Sequence, residues 1–402
     1  MYKIYCRLYQ FVFRLVALVL PWRRPELLND YSSLINLLHK NGIHSVLLVT
    51  DKGLTGLGLH VELQQRIQDA GILCVLYDKT IQNPTIDNIE DALELYYQEK
   101  CDALIALGGG SPMDCAKGVG ARVACPHKQI PDMRGQLKVR KKLPLLIAVP
   151  TTAGSGSEAT VAAIIKDSLN QEKYAINDPS LIPSHALLNP CLTIKLPPFI
   201  TACTGIDALC HAVEAYIGGS NTQQTRQDAL RAAKLVFENV YTAYKDGENV
   251  TARKNMQEAA FLAGTSFTRA FVGNVHAVAH AIGGRYGTPH GLVNAVILPY
   301  VLEMYGKRVH KTLCEMAVYI SIADENVQPE EGAKLFIAAI WELNSKMGIP
   351  KKISDIQKDD ISALAEKSLR EANPLYPVPV IFGRKEMEQV YYYILENGNR
   401  KA

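Results

Sequence analysis

Short, continuously apolar runs that alternate with helical patterns are the strongest constraint on how this chain can fold. Four such runs occur in the first half, at Ser45–Thr50, Ile72–Tyr77, Ala103–Leu107 and Leu145–Val149. Between them, Gly58–Asp69 and Ile86–Glu99 carry apolar residues at helical spacing. Strands that are apolar along their whole length are typical of a parallel sheet buried on both faces. Ligands of such sheets bind at the carboxyl ends of the strands.

The second half of the chain has a different pattern. Beyond Leu196-Pro197-Pro198 the strand-like runs disappear, and long helical patterns occupy Thr225–Tyr244, Thr251–Phe271, Gly291–Tyr305, Glu330–Met347 and Asp359–Glu371. A chain of 402 residues is also long for a single core. We therefore predict an N-terminal segment at residues 1–24, an α/β domain at 25–197 and an all-helical domain at 198–402.

Composition narrows the class of partner and the compartment. Apolar residues make up 48% and charged residues 21%, as in ordinary globular proteins. The formal charge is +3, and Lys138–Lys142 is the one Lys/Arg block, so nucleic acid is not an expected partner. The nine Cys are odd in number and form no CxxC pair. This usage indicates free thiols in a reducing cytosol, and we predict a cytoplasmic protein.

The segment Tyr2–Leu20 is mostly apolar, but Lys3, Arg7 and Arg14 interrupt it. An Arg near its middle makes a membrane span costly, and no small-residue cleavage site follows. We expect a helix or strand packed on the protein's own surface or on a second subunit. An amphipathic segment on a membrane surface is the alternative. Since every motif lies beyond it, deletion of residues 1–22 is expected to leave turnover nearly intact.

Two glycine-containing turns favour a dinucleotide. Ala103–Leu107 leads into Gly108-Gly-Gly-Ser-Pro-Met-Asp114, where Ser111 is expected to cap a helix and Asp114 to complete a capping box. Such a turn suits a pyrophosphate, although a strand–helix turn needs no ligand. Pro150–Glu158 is a similar hydroxyl-rich turn after the next strand. Neither has the GxGxxG spacing, so an ordinary Rossmann fold is not predicted.

Asp51 ends the first strand-like run. A carboxylate in this position could accept hydrogen bonds from an adenosine ribose and repel a 2′-phosphate, which favours NAD over NADP. An Asp that only precedes a helix is the simpler interpretation.

Five residues in the second half predict a metal site. Asp207 and His211 are four apart, as are His276 and His280, and His290 follows. Each pair alone is weak evidence, because helical pairs often serve as caps or core hydrogen bonds. Three imidazoles and one carboxylate together suit Fe²⁺ or Zn²⁺ with one coordination position open. Five candidates for four places leave one His as a neighbour of the metal.

These pieces resemble the iron-containing (group III) alcohol dehydrogenases over about residues 45 to 395. The motifs that carry the resemblance occur in the family's order: Val-Thr-Asp51-Lys, Asn83-Pro-Thr, Gly108 to Asp114, Pro150 to Glu158, Thr204-Gly-Ile-Asp207-Ala-Leu-Cys-His211, and His276-Ala-Val-Ala-His280 through Thr288-Pro-His290-Gly. Three features depart from the family: Ser155 replaces a usual Thr, Leu375 follows Asn373-Pro374 where Arg is common, and Tyr2–Leu20 stands where a β-hairpin is usual.

The resemblance implies an α/β NAD-binding domain and an all-α metal-binding domain, an arrangement similar to dehydroquinate synthase. It implies a metal ion in the inter-domain cleft, ligated by Asp207, His211, His276 and His290, with His280 as a catalytic residue near the nicotinamide. It also implies that NAD contacts Asp51, Asn83, Gly109, Gly110, Ser111, Asp114, Thr151, Thr152, Ser155 and Lys173.

The expected activity is metal-dependent, NAD(H)-linked hydride transfer between a primary alcohol and its aldehyde, with Fe²⁺ favoured over Zn²⁺. A polyol dehydrogenase or another metal-dependent relative of the same fold is the alternative. A homo-oligomer is also expected, and residues 1–22 are a candidate for docking on a membrane or a partner.

Overall fold

The computed structural model describes residues 1–168 and 172–395. The chain divides into two compact units. One, called the α/β unit, is Pro21–Lys195; the other, called the helical unit, combines Met1–Leu20 with the chain from Leu196 onward. The N-terminal segment therefore belongs with the C-terminal helices, although 175 residues of the α/β unit separate them in sequence.

The described strands are β1 (Glu26–Leu28), β2 (Ser45–Val49), β3 (Leu73–Tyr77), β4 (Ala103–Gly108), β5 (Gly135–Gln136), β6 (Leu145–Pro150), β7 (Ala162–Asp167), β8 (Glu172–Asn177) and β9 (His185–Leu187). The described α-helices are α1 (Tyr2–Val19), α2 (Tyr31–Lys40), α3 (Lys52–Gly56), α4 (Val61–Asp69), α5 (Ile86–Gln98), α6 (Gly110–Ala124), α7 (Pro198–Ile217), α8 (Gln223–Lys245), α9 (Val250–Ala270), α10 (Asn274–Tyr286), α11 (His290–Tyr305), α12 (His310–Tyr319), α13 (Pro329–Lys346), α14 (Ile361–Ala372) and α15 (Arg384–Ile394). Short 3₁₀ segments lie at Ile130–Met133, Ser157–Ala159, Pro179–Leu181, Pro190–Thr193, Gly306–Arg308 and Lys358–Asp360.

The main sheet of the α/β unit has the order β1-β9-β6-β4-β2-β3, and every pair of neighbours in it is parallel. All side chains of β2 are buried. Alternate residues of this strand enter two different cores: Leu47 packs with Ile89 of α5, whereas Leu48 packs with Leu34 of α2 and Leu63 of α4. The sheet is thus covered by helices on both faces, as its apolar runs predict.

A second sheet of three strands, β5-β8-β7, has no counterpart in the sequence prediction. Its β7–β8 pair is antiparallel, and the side chains of β7 alternate between buried and half-buried positions. Such strands lack the continuous apolar run that marks β2 and β4. The three-residue strands β1 and β9 are too short to give any periodic pattern.

The helical unit contains α1 and α7 to α15. The five helical patterns predicted beyond residue 197 correspond to α8, α9, α11, α13 and α14, with ends that differ by at most two residues. The α/β domain with a parallel sheet and the all-helical second half are confirmed.

Helix α1 is amphipathic. Cys6, Gln10 and Ala17 face inward and are buried, whereas the outer face exposes large apolar side chains: Ile4, Leu8, Phe11, Val12 and Leu15. Phe13 contacts Phe271 edge-on, with ring centroids 5.2 Å apart. Among the described residues, no helix is both long enough and apolar enough to cross a membrane.

Candidate active site

Polar and glycine-rich loops follow four neighbouring strands of the α/β unit. Asp51 follows β2, Asn83 lies in the loop after β3, and Gly109 and Thr151 follow β4 and β6. Because the strands are parallel, these residues share the carboxyl edge of the sheet. The chain passes from β2 to β3 on one side and then to β4 on the other. The switch in direction between β2 and β4 is the position at which open α/β sheets bind ligands.

The turn after β4 needs glycine. Gly108 has φ of 155°, and a Cβ there would lie 2.5 Å from Cγ of Pro112. The hydroxyl-rich turn Pro150–Glu158, called the second loop, lies opposite the next two glycines. An added Cβ on Gly109 would lie 3.3 Å from Oγ1 of Thr152, and one on Gly110 would lie 3.6 Å from Oγ of Ser155. These small residues allow the two loops to pack closely and leave backbone accessible to a phosphate.

The predicted capping box at Ser111 is wrong. Helix α6 begins at Gly110 with Gly109 as its N-cap, and no described side chain caps this helix start with a hydrogen bond. Ser111 Oγ instead accepts a hydrogen bond from the Asn83 backbone N–H at 3.1 Å. Asp114 accepts from Oγ of Ser157 at 2.9 Å and from the Ile164 N–H at 3.1 Å. The carboxylate therefore holds the second loop, because that loop supplies donors within its reach.

A buried ionic cluster that was not predicted from the sequence joins α6 to the second loop. The fully buried Lys117 donates to Oγ of Ser157, Oγ1 of Thr160 and the Ala162 carbonyl at 2.8 to 3.0 Å. Burial lowers the pKa of Lys117 to about 8 and raises that of Asp114 to about 6 and that of Glu158 to about 7. The spacing of Asp114 and Lys117 along one helix face was the available signal.

The remaining residues predicted to contact the cofactor lie in the same unit. Thr151 is buried and donates its N–H to the Gly108 carbonyl at 3.0 Å, which joins the two loops. Lys173 lies on β8, half-buried, and its positive charge acts to lower the pKa of Asp114. Asp51 caps α3, with Oδ1 accepting the Leu54 N–H at 3.0 Å.

Three helices of the helical unit bring together Asp207, His276 and His290. One ligand atom of each lies within 4.8 Å of the other two. Oδ1 of Asp207 is 3.8 Å from Nε2 of His276 and 3.7 Å from Nε2 of His290. Ligand atoms arranged tetrahedrally around Fe²⁺ or Zn²⁺ are about 3.4 Å apart at usual bond lengths. The observed spacing is slightly wider, and this donor set fits one divalent ion.

Asn294, which was not predicted as a site residue, lies among these three ligand atoms. Its Nδ2 is 2.6 Å from Oδ1 of Asp207, 3.1 Å from Nε2 of His276 and 3.0 Å from Nε2 of His290. The three acceptors thus converge on one donor nitrogen, which is where a cation would also be attracted. Its position four residues after His290 on α11 was the available signal.

His211 and His280 flank this cluster. The ring of His211 stacks on His276, with centroids 4.4 Å apart, and on Phe267 at 4.1 Å. Among the described residues, His211 is not part of the group whose ligand atoms all lie within 4.8 Å. His280 stacks on His290 at 5.0 Å, and its Nδ1 is 2.5 Å from Oε1 of Glu371.

Glu214 orients His276. Its Oε2 lies 2.6 Å from Nδ1 of His276 and accepts the Gly273 N–H, and its Oε1 accepts the Val275 N–H at 2.8 Å. Burial raises the pKa of Glu214 to about 7, and burial lowers the pKa of His276 well below its usual range. With Nδ1 engaged, Nε2 is directed toward Asp207, as in carboxylate–histidine–metal arrangements. The i, i+7 spacing from Asp207 on α7 could have indicated Glu214.

Sequence comparison places both halves of the chain in one family. Residues 29–190 match the model of iron-containing alcohol dehydrogenase, and residues 201–395 match the C-terminal model of the Fe-containing alcohol dehydrogenase family. The chain is 36% identical over 345 residues to alcohol dehydrogenase 4 of Saccharomyces cerevisiae strain YJM789, which covers 85% of this chain and 88% of the relative.

Two further similarities agree. The chain is 33% identical over 336 residues to the NAD-dependent methanol dehydrogenase of Bacillus methanolicus, covering 83% of this chain and 88% of the relative. A crystal structure of 1,3-propanediol oxidoreductase is similar with a TM-score of 0.88 and 32% identity, covering 93% and 98% of the two chains. The chain belongs to the iron-containing alcohol dehydrogenase family. The predicted family and the predicted class of metal-dependent alcohol oxidoreductase are confirmed.

Gly291 controls how closely α11 approaches α7. A Cβ at this position would lie 2.5 Å from the Cys203 carbonyl oxygen and 3.5 Å from Cβ of Asp207. The first of these atoms belongs to the backbone and cannot rotate away. Since His290 is the preceding residue, this close approach sets the distance between His290 and Asp207.

We therefore expect Gly291→Ala to separate the two side chains and weaken divalent-ion affinity by at least about tenfold. The measurement is competition for Zn²⁺ against a chelator of known affinity. Gly283→Ala is the matched control, because its Cβ would lie 3.5 Å from the Thr288 carbonyl, an ordinary contact. Equal affinities in the two variants would contradict the assignment to Gly291.

Proposed function

We propose that this protein interconverts a primary alcohol and its aldehyde, with NAD(H) as hydride carrier and one divalent ion, Fe²⁺ in preference to Zn²⁺. The convergence of Asp207, His276 and His290 on one point is the observation that carries the proposal. The name of the methanol dehydrogenase relative supports NAD. The name of the propanediol oxidoreductase is the reason to test diols as substrates, together with simple alcohols.

We assign Asp207, His211, His276 and His290 as the metal ligands. The stack of His211 on His276 supports its inclusion, because it places a third imidazole beside the cluster. When bound, the ion supplies Lewis acidity toward a substrate oxygen, and the nicotinamide accepts or returns a hydride. Glu214 keeps Nδ1 of His276 engaged, so that Nε2 remains available as a ligand.

His280 is assigned as the catalytic residue that moves the proton. Its ring lies beside that of His290, and Nδ1 is engaged by Glu371, so Nε2 is the atom that exchanges the proton. An imidazole titrates in the range that proton transfer at neutral pH requires.

For the cofactor we assign direct contact to Asp51, Asn83, Gly109, Gly110, Ser111, Thr151, Thr152, Ser155 and Lys173. Asp114 is assigned an indirect role, because both of its carboxylate oxygens already accept hydrogen bonds from the second loop or the adjoining strand. Its carboxylate, with Lys117, fixes the loop that carries Thr152 and Ser155.

The assignment of His276 as a metal ligand and His280 as a proton carrier predicts different effects of mutating these two histidines of α10. His276→Ala is expected to lose most bound metal and all measurable turnover. His280→Ala is expected to keep its metal and to lose about 10² to 10⁴ in kcat, the usual share of acid–base catalysis. Elemental analysis after anaerobic purification and rates with an alcohol and diol panel measure both effects. A fully active, metal-free wild-type preparation would overturn the proposal, and metal loss from His280→Ala would change the ligand set.

Asp51 provides the test of cofactor choice. A carboxylate facing the adenosine ribose accepts hydrogen bonds from NAD, whereas the 2′-phosphate of NADP brings like charges together. We expect wild type to prefer NAD by about tenfold to a thousandfold in kcat/KM, equivalent to about 1–4 kcal/mol. Asp51→Gly should reduce that preference, mainly by improving the use of NADP.

Asp51→Asn is the matched control for folding. Asn is as good an N-cap as Asp, so this variant retains the cap of α3 while it removes the charge. If Asp51→Gly and Asp51→Asn lower the preference for NAD over NADP to a similar extent, the preference is due to the charge of Asp51. An NADP preference in wild type, or an unchanged ratio in both variants, would show that Asp51 does not read the ribose.

The outer face of α1 supports a further proposal, that it docks on an anionic lipid surface. This helix has no acidic residue, and Lys3 and Arg14 accompany its exposed apolar side chains. An apolar face edged by cations complements acidic headgroups, and single basic residues near such a surface contribute about 1 kcal/mol each.

Sedimentation with vesicles tests this docking. We expect the protein to bind phosphatidylglycerol vesicles at low salt and not phosphatidylcholine vesicles, and Leu8→Ser/Phe11→Ser to abolish binding without a change in turnover. No binding to acidic vesicles, together with a concentration-dependent change of mass that Leu8→Ser/Phe11→Ser prevents, would instead identify a second copy as the occupant. The homo-oligomer itself stays a prediction.

A further inference from the structure

The segment Asn373–Gly383, called the proline-rich segment, depends on other elements for its backbone hydrogen bonds. Pro374, Pro377 and Pro379 have no N–H group, so the segment cannot form a regular strand pairing. Its carbonyl oxygens still need donors where they are removed from water. They find them in α1, in the turn after α7 and at the start of α10, where Asn274 donates to Val380.

Helix α1 supplies most of the side-chain donors. Arg7 donates from Nη1 to the Val378 carbonyl at 2.7 Å and from Nη2 to the Pro379 carbonyl at 2.8 Å. Gln10 donates from Nε2 to the Tyr376 carbonyl at 2.6 Å. Below these bonds, the buried Cys6 packs against Val378 and Ile381. The inner face of α1 therefore holds the proline-rich segment by hydrogen bonds at Tyr376, Val378 and Pro379 and by apolar packing at Val378 and Ile381.

Tyr376 connects this segment to the active site. Its hydroxyl donates to Oε1 of Glu371 at 2.9 Å, and the same oxygen lies 2.5 Å from Nδ1 of His280. Glu371 lies in the last turn of α14, one residue before that helix ends. Tyr376 thus links α1 to His280: its carbonyl accepts a hydrogen bond from Gln10, and its hydroxyl bonds the carboxylate that engages the imidazole.

We propose that Glu371 and Tyr376 are positioning residues for His280 and that α1 holds Tyr376 in place for them. Nδ1–H of His280 donates a hydrogen bond to Glu371, which leaves Nε2 as the atom that exchanges a proton with substrate or solvent. Tyr376 fixes the carboxylate, and Arg7 with Gln10 fixes the backbone that carries Tyr376. This inference rests on the proposed catalytic role of His280. It also changes the expectation for residues 1–22, whose loss should now lower kcat.

The first experiment tests Glu371 and Tyr376. Glu371→Leu removes the acceptor and should lower kcat by about 10- to 100-fold, the usual effect of losing a partner that orients a metal-site or catalytic group. The KM for NAD and the metal content should not change. Glu371→Gln retains an acceptor oxygen and should recover part of the rate, and Tyr376→Phe should lose about three- to tenfold. Glu366→Gln, an exposed carboxylate on the same helix paired with Arg370, is the control.

The state of the His280 ring gives a readout independent of turnover. In zinc-loaded protein labelled with ¹⁵N-histidine, wild type should show His280 protonated at Nδ1, whereas Glu371→Leu should show a mixture of tautomers. Unchanged tautomer and unchanged kcat in Glu371→Leu overturn the positioning proposal. A changed tautomer with wild-type kcat upholds the positioning and overturns instead the catalytic role of His280.

The second experiment tests α1. Arg7→Met/Gln10→Met removes the three donors while it keeps side-chain length, and kcat should fall about three- to tenfold with metal content unchanged. Hydrogen exchange of residues 373–383, measured by mass spectrometry, should become faster. Gln65→Met/Arg66→Met is the control, an exposed pair on α4 that donates hydrogen bonds to Asp69 and Glu62 of the same helix. Faster exchange with wild-type kcat would overturn the link from α1 to the active site, as would no change in either.

Discussion

The carboxylate of Glu214 is the interaction on which the geometry of the metal cluster depends. It accepts two backbone N–H groups at the start of α10 and engages Nδ1 of His276. A buried carboxylate is costly unless it is well paired, and here burial has raised its pKa to about 7. Gly273 allows the approach, because a Cβ there would lie 2.7 Å from Oε1. In this way α7, which carries Asp207, fixes both the position and the ring orientation of the first histidine on α10.

The α/β unit uses the same physical principle for a different purpose. Lys117, Asp114 and Glu158 are buried together with Ser157 and Thr160, and their hydrogen bonds join α6 to the loop after β6. Removing one charged partner from such a cluster usually costs about 3–5 kcal/mol, because the remaining charges are left buried without compensation. The loops after β4 and β6 are therefore tied together at the carboxyl edge of the sheet, which suits a site that positions a dinucleotide.

The third dependence concerns the proline-rich segment, which has carbonyl acceptors and few donors of its own. Helix α1 donates hydrogen bonds to three of those carbonyls, even though it is the first element of the chain. Its two faces thus differ in kind. The inner face makes directional hydrogen bonds within the helical unit, whereas the outer face presents apolar and basic side chains to solvent.

The local sequence pattern was sufficient to predict the strands and helices whose formation depends on the burial of nearby side chains. Buried strands produce continuous apolar runs, which predicted β2, β3, β4 and β6, and helical spacing predicted α8, α9, α11, α13 and α14. The motifs also gave the family. The tertiary structure alone decided which groups meet. Asp207, His276 and His290 are up to 83 residues apart and converge only because α7, α10 and α11 pack together, with Gly291 setting the approach. Helical spacing gave Asn294, Glu214 and Lys117 only a weak signal and Glu371 none, since most of their hydrogen-bond partners lie on other elements. The inner face of α1 binds carbonyls some 370 residues away in sequence, and a local sequence pattern cannot indicate a contact at that separation.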